Sequence, residues 1–206
     1  MIRSRLPIFR VGFLALTATA AVWMATVVSG SAASTGNVGV QSGARVPTGV
    51  AQAQVAADIP DNQVFLKFRN TAGGYLISYP EGWLQQGAGP KVTFHDKDNR
   101  LQVVISKGAP FSPASVKADV ASLQSATPSL KAAPAAQLAL PSGTAFKVSY
   151  STVSAPDSVT GKRVSLVADR YYLSKTGKRA TVDLASAKGA DNVDAYRLII
   201  TSFRWL

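Results

Sequence analysis

The end of the chain contains the stretch that decides the fold. The turn sequence Lys175-Thr176-Gly177-Lys178-Arg179 lies between Asp169-Arg170-Tyr171-Tyr172-Leu173 and Thr181-Val182-Asp183-Leu184. Apolar residues alternate with polar ones along residues 181–184, and they recur at 164, 166, 168 and 172 in the preceding segment. Alternation of this kind predicts two strands joined as a hairpin. In the closing segment, Val193, Tyr196, Ile200 and Phe203 recur at helical spacing after Asp191, which is a suitable N-cap. We therefore expect a hairpin covered by an amphipathic helix.

Further strands and one more helix are predicted upstream. The expected strands cover residues 64–69, 75–79, 92–94, 101–105, 137–140, 144–150, 163–173 and 180–185. Ser112 followed by Pro113 is typical of a helix start, and we expect a helix over residues 113–124. The order of strands, helix, strands and helix predicts an α+β domain with a central antiparallel sheet covered by helices, rather than a doubly wound parallel sheet.

The N-terminal region is predicted to reach a membrane. Arg3, Arg5 and Arg10 precede an uncharged apolar run over residues 11–28. As a helix this run measures about 27 Å, which is close to the thickness of a hydrocarbon core. Its length favours an uncleaved transmembrane anchor, and the arginines on its amino side predict a cytoplasmic N-terminus. Small residues at 30–33 and an Ala-x-Ala pattern at 51–53 leave a cleaved signal peptide as the alternative.

These features divide the chain into three parts. Residues 1–29 are a signal or transmembrane helix, residues 30–61 a flexible linker rich in Gly, Ala, Ser, Val and Gln, and residues 62–206 the folded domain. Both interpretations of the first part place the domain on the extracytoplasmic side of a membrane, in the periplasm, at the cell exterior or in a thylakoid lumen. The membrane is therefore an expected partner.

Charge and cysteine content narrow the function classes. The chain has 22 basic and 11 acidic residues, which gives a net charge of +11. All the acids and 18 of the basic residues lie from Asp58 onward, so this region has a net charge of +7. A basic domain beside a membrane could meet anionic headgroups or an acidic partner subunit, and the alternative is a solvated surface. Export and the absence of a nucleic-acid motif disfavour nucleic acid as a partner. The chain has no cysteine, which excludes disulfides, thiolate metal sites and a lipidated cysteine.

Few residues suggest chemistry. His95 is the sole histidine, and with Asp96 and Asp98 it forms the densest polar cluster of the sequence. The cluster lacks the glycine and the terminal glutamate of a calcium loop, so we expect a hairpin turn and keep these three residues as weak metal candidates only. No Gly-x-Ser-x-Gly elbow or phosphate loop is present. We therefore expect a non-enzymatic protein without a cofactor.

Three further groups of side chains are candidates for packing, pairing or binding. The candidates for partner contact are the basic residues Arg100, Lys162, Arg163, Lys178 and Arg179. The aromatic residues Trp83, Phe94, Tyr171, Tyr172, Tyr196, Phe203 and Trp205 are expected to pack in the core, with a ligand groove as the alternative. The acids Asp157, Asp169 and Asp183 are expected to form surface ion pairs with Arg163, Arg170 or Arg179.

Landmarks along the domain resemble the PsbP-like superfamily. They are the stretch over residues 74–83, the Phe94-x-Asp96 hairpin with residues 103–105, the Ser112-Pro113 helix start, residues 169–172 and the pair Ser202-Phe203. The resemblance implies an α-β-α sandwich with a central antiparallel sheet. Its members include an extrinsic subunit of photosystem II that supports calcium and chloride retention in the thylakoid lumen, and exported LpqN-type proteins proposed to carry lipids. Calcium binding is implied by this resemblance alone.

Two functions follow as expectations. The first is a membrane-tethered extracytoplasmic accessory subunit of a membrane protein complex, with a photosynthetic complex as the candidate. The second is an exported module that binds a lipid or another small apolar ligand. The N-terminus departs from the pattern of the family, because cyanobacterial PsbP and LpqN-type proteins typically carry an acylated cysteine. In this chain a hydrophobic segment takes that place.

Overall fold

The computed structural model describes residues 58–157 and 159–206. The strands in this part of the chain are β1 (Phe65–Asn70), β2 (Tyr75–Pro80), β3 (Leu84–Ala88), β4 (Lys91–Asp96), β5 (Asn99–Lys107), β6 (Lys131–Ala132), β7 (Ala136–Leu140), β8 (Gly143–Val153), β9 (Ser165–Lys175), β10 (Lys178–Ala187) and β11 (Arg204–Trp205). The helices are α1 (Pro113–Ala126) and α2 (Val193–Ser202).

The strands form two antiparallel sheets. The large sheet has the order β3-β4-β5-β10-β9-β8-β6, and β7 also pairs with β8. The small sheet has the order β1-β2-β11. The predicted hairpin of β9 and β10 lies at the centre of the large sheet, where Tyr171 is in register with Val182. The predicted α+β class with antiparallel strands and two helices is therefore confirmed.

Both faces of the large sheet are covered by helix, because successive side chains of a strand point to opposite faces. Tyr171 lies in the main core, with Ile199 of α2 and Ile77 of β2. The next residue, Tyr172, lies in a smaller cluster with Val116 of α1. The two helices thus pack on opposite sides of the sheet, and the small sheet shares the side of α2.

The two helices begin differently. Ser112 caps α1 as predicted: its side chain accepts a hydrogen bond from the backbone N–H of Ser115, and the Ser115 hydroxyl accepts one from the backbone N–H of Ser112. The prediction that Asp191 caps α2 is wrong, since the N-cap is Asn192. Asn192 makes no capping hydrogen bond through its side chain, because its Oδ1 accepts the N–H of Ile59 at 2.7 Å. Asn192 therefore joins the start of the described chain to α2.

The final helix is shorter than the apolar pattern suggested. Tyr196, Ile200 and Phe203 are buried as predicted, but Val193 is 72% exposed, so its assignment to the core stripe is wrong. Val193 stands in the first turn of α2, at the edge of a cleft in the protein surface. The helix ends at Ser202 because Phe203 has extended backbone angles, and the two residues that follow form β11 against β2.

Two other strands were not predicted. All five residues of β3 are exposed, so this edge strand shows no alternation, and β6 contains only two residues. The hairpin of β4 and β5 is also longer than expected: Asp96 pairs with Asn99, so the turn contains only Lys97 and Asp98. No helix in residues 58–157 and 159–206 is long and apolar enough to span a membrane. The anchor predicted over residues 11–28 lies outside the described residues.

Candidate functional site

A cleft of about 730 Å³ opens between α2 and the large sheet. Val193, Tyr196 and Ile200 of α2 line one side, and Leu138 and Leu140 of β7 contribute to the lining as well. Residues of β8, β9 and β10 complete it. The volume lies within the range of roughly 300–1,000 Å³ that is usual for small-molecule sites.

The packing of α2 explains why the surface is open at this place. The Tyr196 hydroxyl donates a hydrogen bond to the carbonyl oxygen of Ala185 at 2.6 Å, which fixes the helix above β10. Ile199 and Ile200 are buried in the main core beneath the helix. Further along the sheet, Val167 of β9 lines the cleft and is only half-buried. The sheet is thus wider than the helix that covers it.

The lining is mainly apolar. The apolar residues of the cleft are Ala133, Leu138, Leu140, Tyr150, Val167, Ala168, Tyr171, Leu184, Ala190, Val193, Tyr196 and Ile200. They come from β7, β8, β9, β10, α2 and the adjoining loops, so they are brought together only by the tertiary fold. A lining of this kind favours hydrocarbon or aromatic groups over charged ligands.

Charged side chains interrupt the apolar lining: Lys131, Lys147, Asp169 and Arg197 all line the cleft, and two of them form an ion pair with each other. Lys147 of β8 forms an ion pair with Asp169 of β9, with 2.8 Å between Nζ and Oδ2, and the Ser149 hydroxyl donates to the other carboxylate oxygen at 2.5 Å. The Lys147 ammonium also lies 5.7 Å from the centre of the Tyr171 ring. Lys147 and Asp169 are each about two-thirds buried or more. This polar group gives the cleft a defined point at which a ligand headgroup could be oriented.

Protonation states in the cleft follow from burial and neighbouring charge. Burial lowers the pKa of Lys147, but its hydrogen bond to Asp169 and its electrostatic interactions with Tyr171 and Asp169 outweigh that effect, so the pKa is raised overall. Burial and the nearby Asp169 carboxylate raise the pKa of Tyr171. Burial raises the pKa of Tyr196 to about 12. At neutral pH Lys147 is therefore an ammonium, and Tyr171 and Tyr196 are neutral phenols.

The residues proposed as weak metal candidates lie away from this cleft. His95 and Asp96 end β4, and Asp98 follows in the two-residue turn. His95 is paired across the hairpin with Arg100. Within residues 58–157 and 159–206, no group of three or more His, Asp or Glu side chains is placed to hold a metal ion.

The basic residues proposed for partner contact are divided between the two ends of the large sheet. Lys178 and Arg179 begin β10, and the Arg179 guanidinium lies 4.9 Å from the centre of the Phe111 ring. Arg100 is in register with Ala185 near the other end of β10. Lys162 and Arg163 precede β9 at that same end, where Arg163 donates to the carbonyl oxygen of Ser154. These five residues therefore do not form one surface.

A buried polar network occupies the opposite face of the sheet and corrects one prediction. Asp183 was expected in a surface ion pair, but it is only 1% exposed. It pairs with Arg170, which also contacts Asp119 of α1 at 3.2 Å. The Tyr172 hydroxyl donates to the same Asp119 carboxylate at 2.9 Å. The network attaches α1 to the sheet, and the expectation failed because both faces of this sheet are covered.

The aromatic residues are likewise divided. Trp83, Phe94, Tyr172 and Phe203 are buried, as expected for core residues, and Trp205 packs against the main core. Tyr171 and Tyr196 are also largely buried, but both line the cleft. The aromatic content of the sequence was thus the one signal that pointed toward a groove. The sequence pattern does not bring Lys147, Ser149 and Asp169 together, because their proximity depends on the register of β8 and β9.

Comparisons with known proteins bear on the fold. No protein-family model matches the sequence, and no curated protein matches it either. The solution structure of cyanobacterial PsbP (CyanoP) from Synechocystis sp. PCC 6803 matches with a TM-score of 0.52 and 20% identity, over 72% of this chain and 98% of that one. The match therefore extends over nearly all of the cyanobacterial protein.

Two other solved structures match with TM-scores below 0.5. The Ran-binding protein Mog1p of Saccharomyces cerevisiae has a TM-score of 0.45 at 9% identity, with 68% of this chain and 95% of that one covered. LpqN of Mycobacterium tuberculosis, involved in cell envelope biogenesis, has a TM-score of 0.42 at 13% identity, with 70% and 91% covered. The arrangement of sheet and helices, together with the match to CyanoP, shows that this chain has a PsbP-like fold.

Proposed function

We propose that this chain is a non-enzymatic extracytoplasmic binding protein whose cleft takes an amphiphilic ligand. The observation that carries the proposal is the apolar cleft of about 730 Å³ beside α2. The hydrocarbon part of the ligand lies against Leu138, Leu140 and Ile200, and its polar end meets the Lys147–Asp169 pair. Such a combination of apolar walls and one polar anchoring point is typical of sites for small amphiphiles.

The described side chains support binding rather than catalysis. His95, the sole histidine of the chain, lies in the hairpin of β4 and β5 and does not line the cleft. Within the cleft, the Ser149 hydroxyl has a carboxylate neighbour that also pairs with Lys147, so the carboxylate is already engaged. An activated nucleophile needs an adjacent base that is free to take its proton.

A direct binding experiment tests the ligand proposal. The fragment of residues 58–206 contains the main core and the complete described cleft, so it is suitable for a titration in aqueous buffer. The probe is cis-parinaric acid, a fluorescent fatty acid, and saturable binding with one site per chain is the expected result. The full chain is also purified from native membranes and then extracted with organic solvent. Mass spectrometry of the extract identifies the resident ligand. Absence of saturable probe binding would contradict the proposal.

A second proposed function is that of a membrane-tethered accessory subunit, with a photosynthetic membrane complex as the candidate partner. It is supported by the likeness to cyanobacterial PsbP and by the apolar run over residues 11–28 that precedes the domain. Purification of the full chain from native membranes in gentle detergent tests it. Stable copurification with a membrane complex is expected, and migration only as a free monomer would count against it. The two functions are compatible, because the cleft occupies one side of the domain.

A further inference from the structure

Three lysines occupy opposed positions on three neighbouring strands at one end of the large sheet. Lys178 of β10 is in register with Lys107 of β5 on one side and with Lys175 of β9 on the other. All three side chains are exposed. Like charges placed directly opposite each other on neighbouring strands repel, so this row is unfavourable by itself. A negatively charged surface would relieve the repulsion.

Three arginines extend the row into a larger basic surface. Arg179 follows Lys178, while Arg69 and Arg204 are both in register with Leu76 on the two sides of β2. The small sheet reaches the same end of the molecule: the Lys178 ammonium lies beside Gly74, and Lys175 donates to the carbonyl oxygen of Leu206 at 3.2 Å. We call this surface the basic end; its members are Arg69, Lys107, Lys175, Lys178, Arg179 and Arg204.

No Asp or Glu side chain of residues 58–157 and 159–206 forms an ion pair with a member of the basic end. Among the described residues, the ion pairs involve Lys147, Arg170 and Arg197 and none of the six members of the basic end. The segment from Arg170 to Val182, which supplies three of these members, contains no Asp or Glu. Exposed acids at the opposite end of the large sheet include Asp96, Asp191 and Asp194. The domain is therefore electrically asymmetric along its strands.

We propose that the basic end docks on an anionic lipid bilayer. Its charges are lysines and arginines spread over both sheets, and all of them except the half-buried Arg179 are exposed, which suits many mobile headgroups. Attachment to the apolar run over residues 11–28 would also raise the effective concentration of the domain at a bilayer surface. Docking would orient the domain with the turn of β9 and β10 toward the membrane. This inference is independent of the cleft.

The orientation of the full chain in lipid nanodiscs tests the proposal. Because the chain lacks cysteine, Ala109→Cys places a single donor fluorophore beside Lys107 at the basic end, and Val159→Cys places one at the opposite end. Acceptor fluorophores are attached to the lipid headgroups. In nanodiscs with about 30 mol% phosphatidylglycerol, we expect strong energy transfer from position 109 and weaker transfer from position 159. Neutral phosphatidylcholine, or about 0.5 M salt, should abolish the difference.

Charge variants make the test specific. A triple variant should weaken docking on the anionic bilayer by roughly 100-fold, given the usual contribution of a basic residue near an anionic surface. Its substitutions are Lys107→Gln, Lys175→Gln and Lys178→Gln. The matched control is Lys97→Gln, Lys162→Gln and Lys188→Gln, which removes the same charge from exposed lysines at the opposite end and should leave docking unchanged. Circular dichroism verifies that both variants fold. Equal energy transfer in neutral and anionic nanodiscs, or an equal loss in the two variants, would overturn the proposal.

Discussion

Lys147 and Asp169 form an ion pair within an otherwise mainly apolar cleft, with 2.8 Å between their charged atoms. The pair joins neighbouring strands, and the Ser149 hydroxyl holds the carboxylate from the other side. The two charges of this pair therefore satisfy each other in the resting cleft. The same pairing predicts which of two ligands the cleft prefers when they share the same hydrocarbon chain and differ only in the headgroup.

Replacing Asp169 should change the preference of the cleft for anionic ligands. In Asp169→Asn, Lys147 loses its carboxylate partner, so the carboxylate of a bound fatty acid becomes the available counterion. We expect the Kd of cis-parinaric acid to fall by about 10-fold, because a hydrogen bond to a charged group contributes about 1.5–3 kcal/mol. The Kd of the methyl ester should change little. Fluorescence titration of the fragment of residues 58–206 measures both.

The control for this charge change is Asp96→Asn, which alters an exposed carboxylate in the hairpin of β4 and β5. It should leave both dissociation constants unchanged. If Asp96→Asn tightens acid binding as much as Asp169→Asn does, the effect comes from the overall charge of the domain and not from the cleft.

Filling the cleft should abolish binding without unfolding the protein. Ser149 is exposed and lines the cleft, so Ser149→Trp introduces a large side chain into the space proposed for the ligand. We expect at least a 10-fold loss of probe affinity, because the indole competes for the apolar lining. Thr144→Trp is the matched control, since Thr144 is exposed on the same strand but does not line the cleft. Equal affinities in the two variants would place the probe elsewhere.

The buried network beneath α1 should be far more important for stability than an exposed ion pair. Asp183→Ala leaves the largely buried Arg170 without its nearest carboxylate, and we expect a loss of about 3–5 kcal/mol in the free energy of unfolding. Asp194→Ala removes the partner of Arg197 in a pair whose side chains are 85% and 73% exposed, and the expected loss is below about 0.5 kcal/mol. Urea denaturation measures both. Similar losses in the two variants would refute the structural role of the network.

Stability should decline at alkaline pH in part through Tyr196. Burial raises its pKa to about 12, above the value of about 10 for an unfolded tyrosine. Between these values the folded state keeps a proton that the unfolded state has released, so this contribution is fully present below about pH 10 and is lost as the pH rises toward 12. Burial raises the pKa of Tyr150 and Tyr172 as well, so they contribute to the same decline.

Tyr196→Phe isolates the contribution of one phenol. The variant lacks the hydrogen bond to Ala185 and should be less stable at pH 8 by about 1 kcal/mol. Its further loss of stability between about pH 9 and 12 should be smaller than that of the unaltered protein by about 1–2 kcal/mol. Urea unfolding over this pH range measures the difference. Parallel pH profiles for the two proteins would show that Tyr196 does not titrate with a raised pKa.

Most of the fold was predictable because its long strands carry strong local signals. The alternation around Tyr171 and Tyr172 and the Ser112-Pro113 helix start both identified elements that the structure contains. The elements that were missed carry no such signal. β3 is exposed throughout, and β11 is a two-residue strand defined by its pairing with β2.

The cleft was beyond the reach of sequence patterns for a different reason. Its depth depends on the displacement of α2 relative to the sheet, which is set by the contact of Tyr196 with β10. Local spacing assigned Val193 to the core, whereas the position of the helix leaves it exposed beside the cleft. Likewise, only strand register brings Ser149 opposite Asp169.

Methyl NMR spectroscopy of the fragment of residues 58–206, titrated with a saturated fatty acid, tests the central claim of ligand binding in the cleft most directly. The predicted result is a set of saturable shifts at the methyl groups of Leu138, Leu140 and Ile200, with none at Val116 and Val148 on the opposite face of the sheet. Shifts centred on Val116 and Val148, or no saturable shift at the cleft methyl groups, would contradict the account.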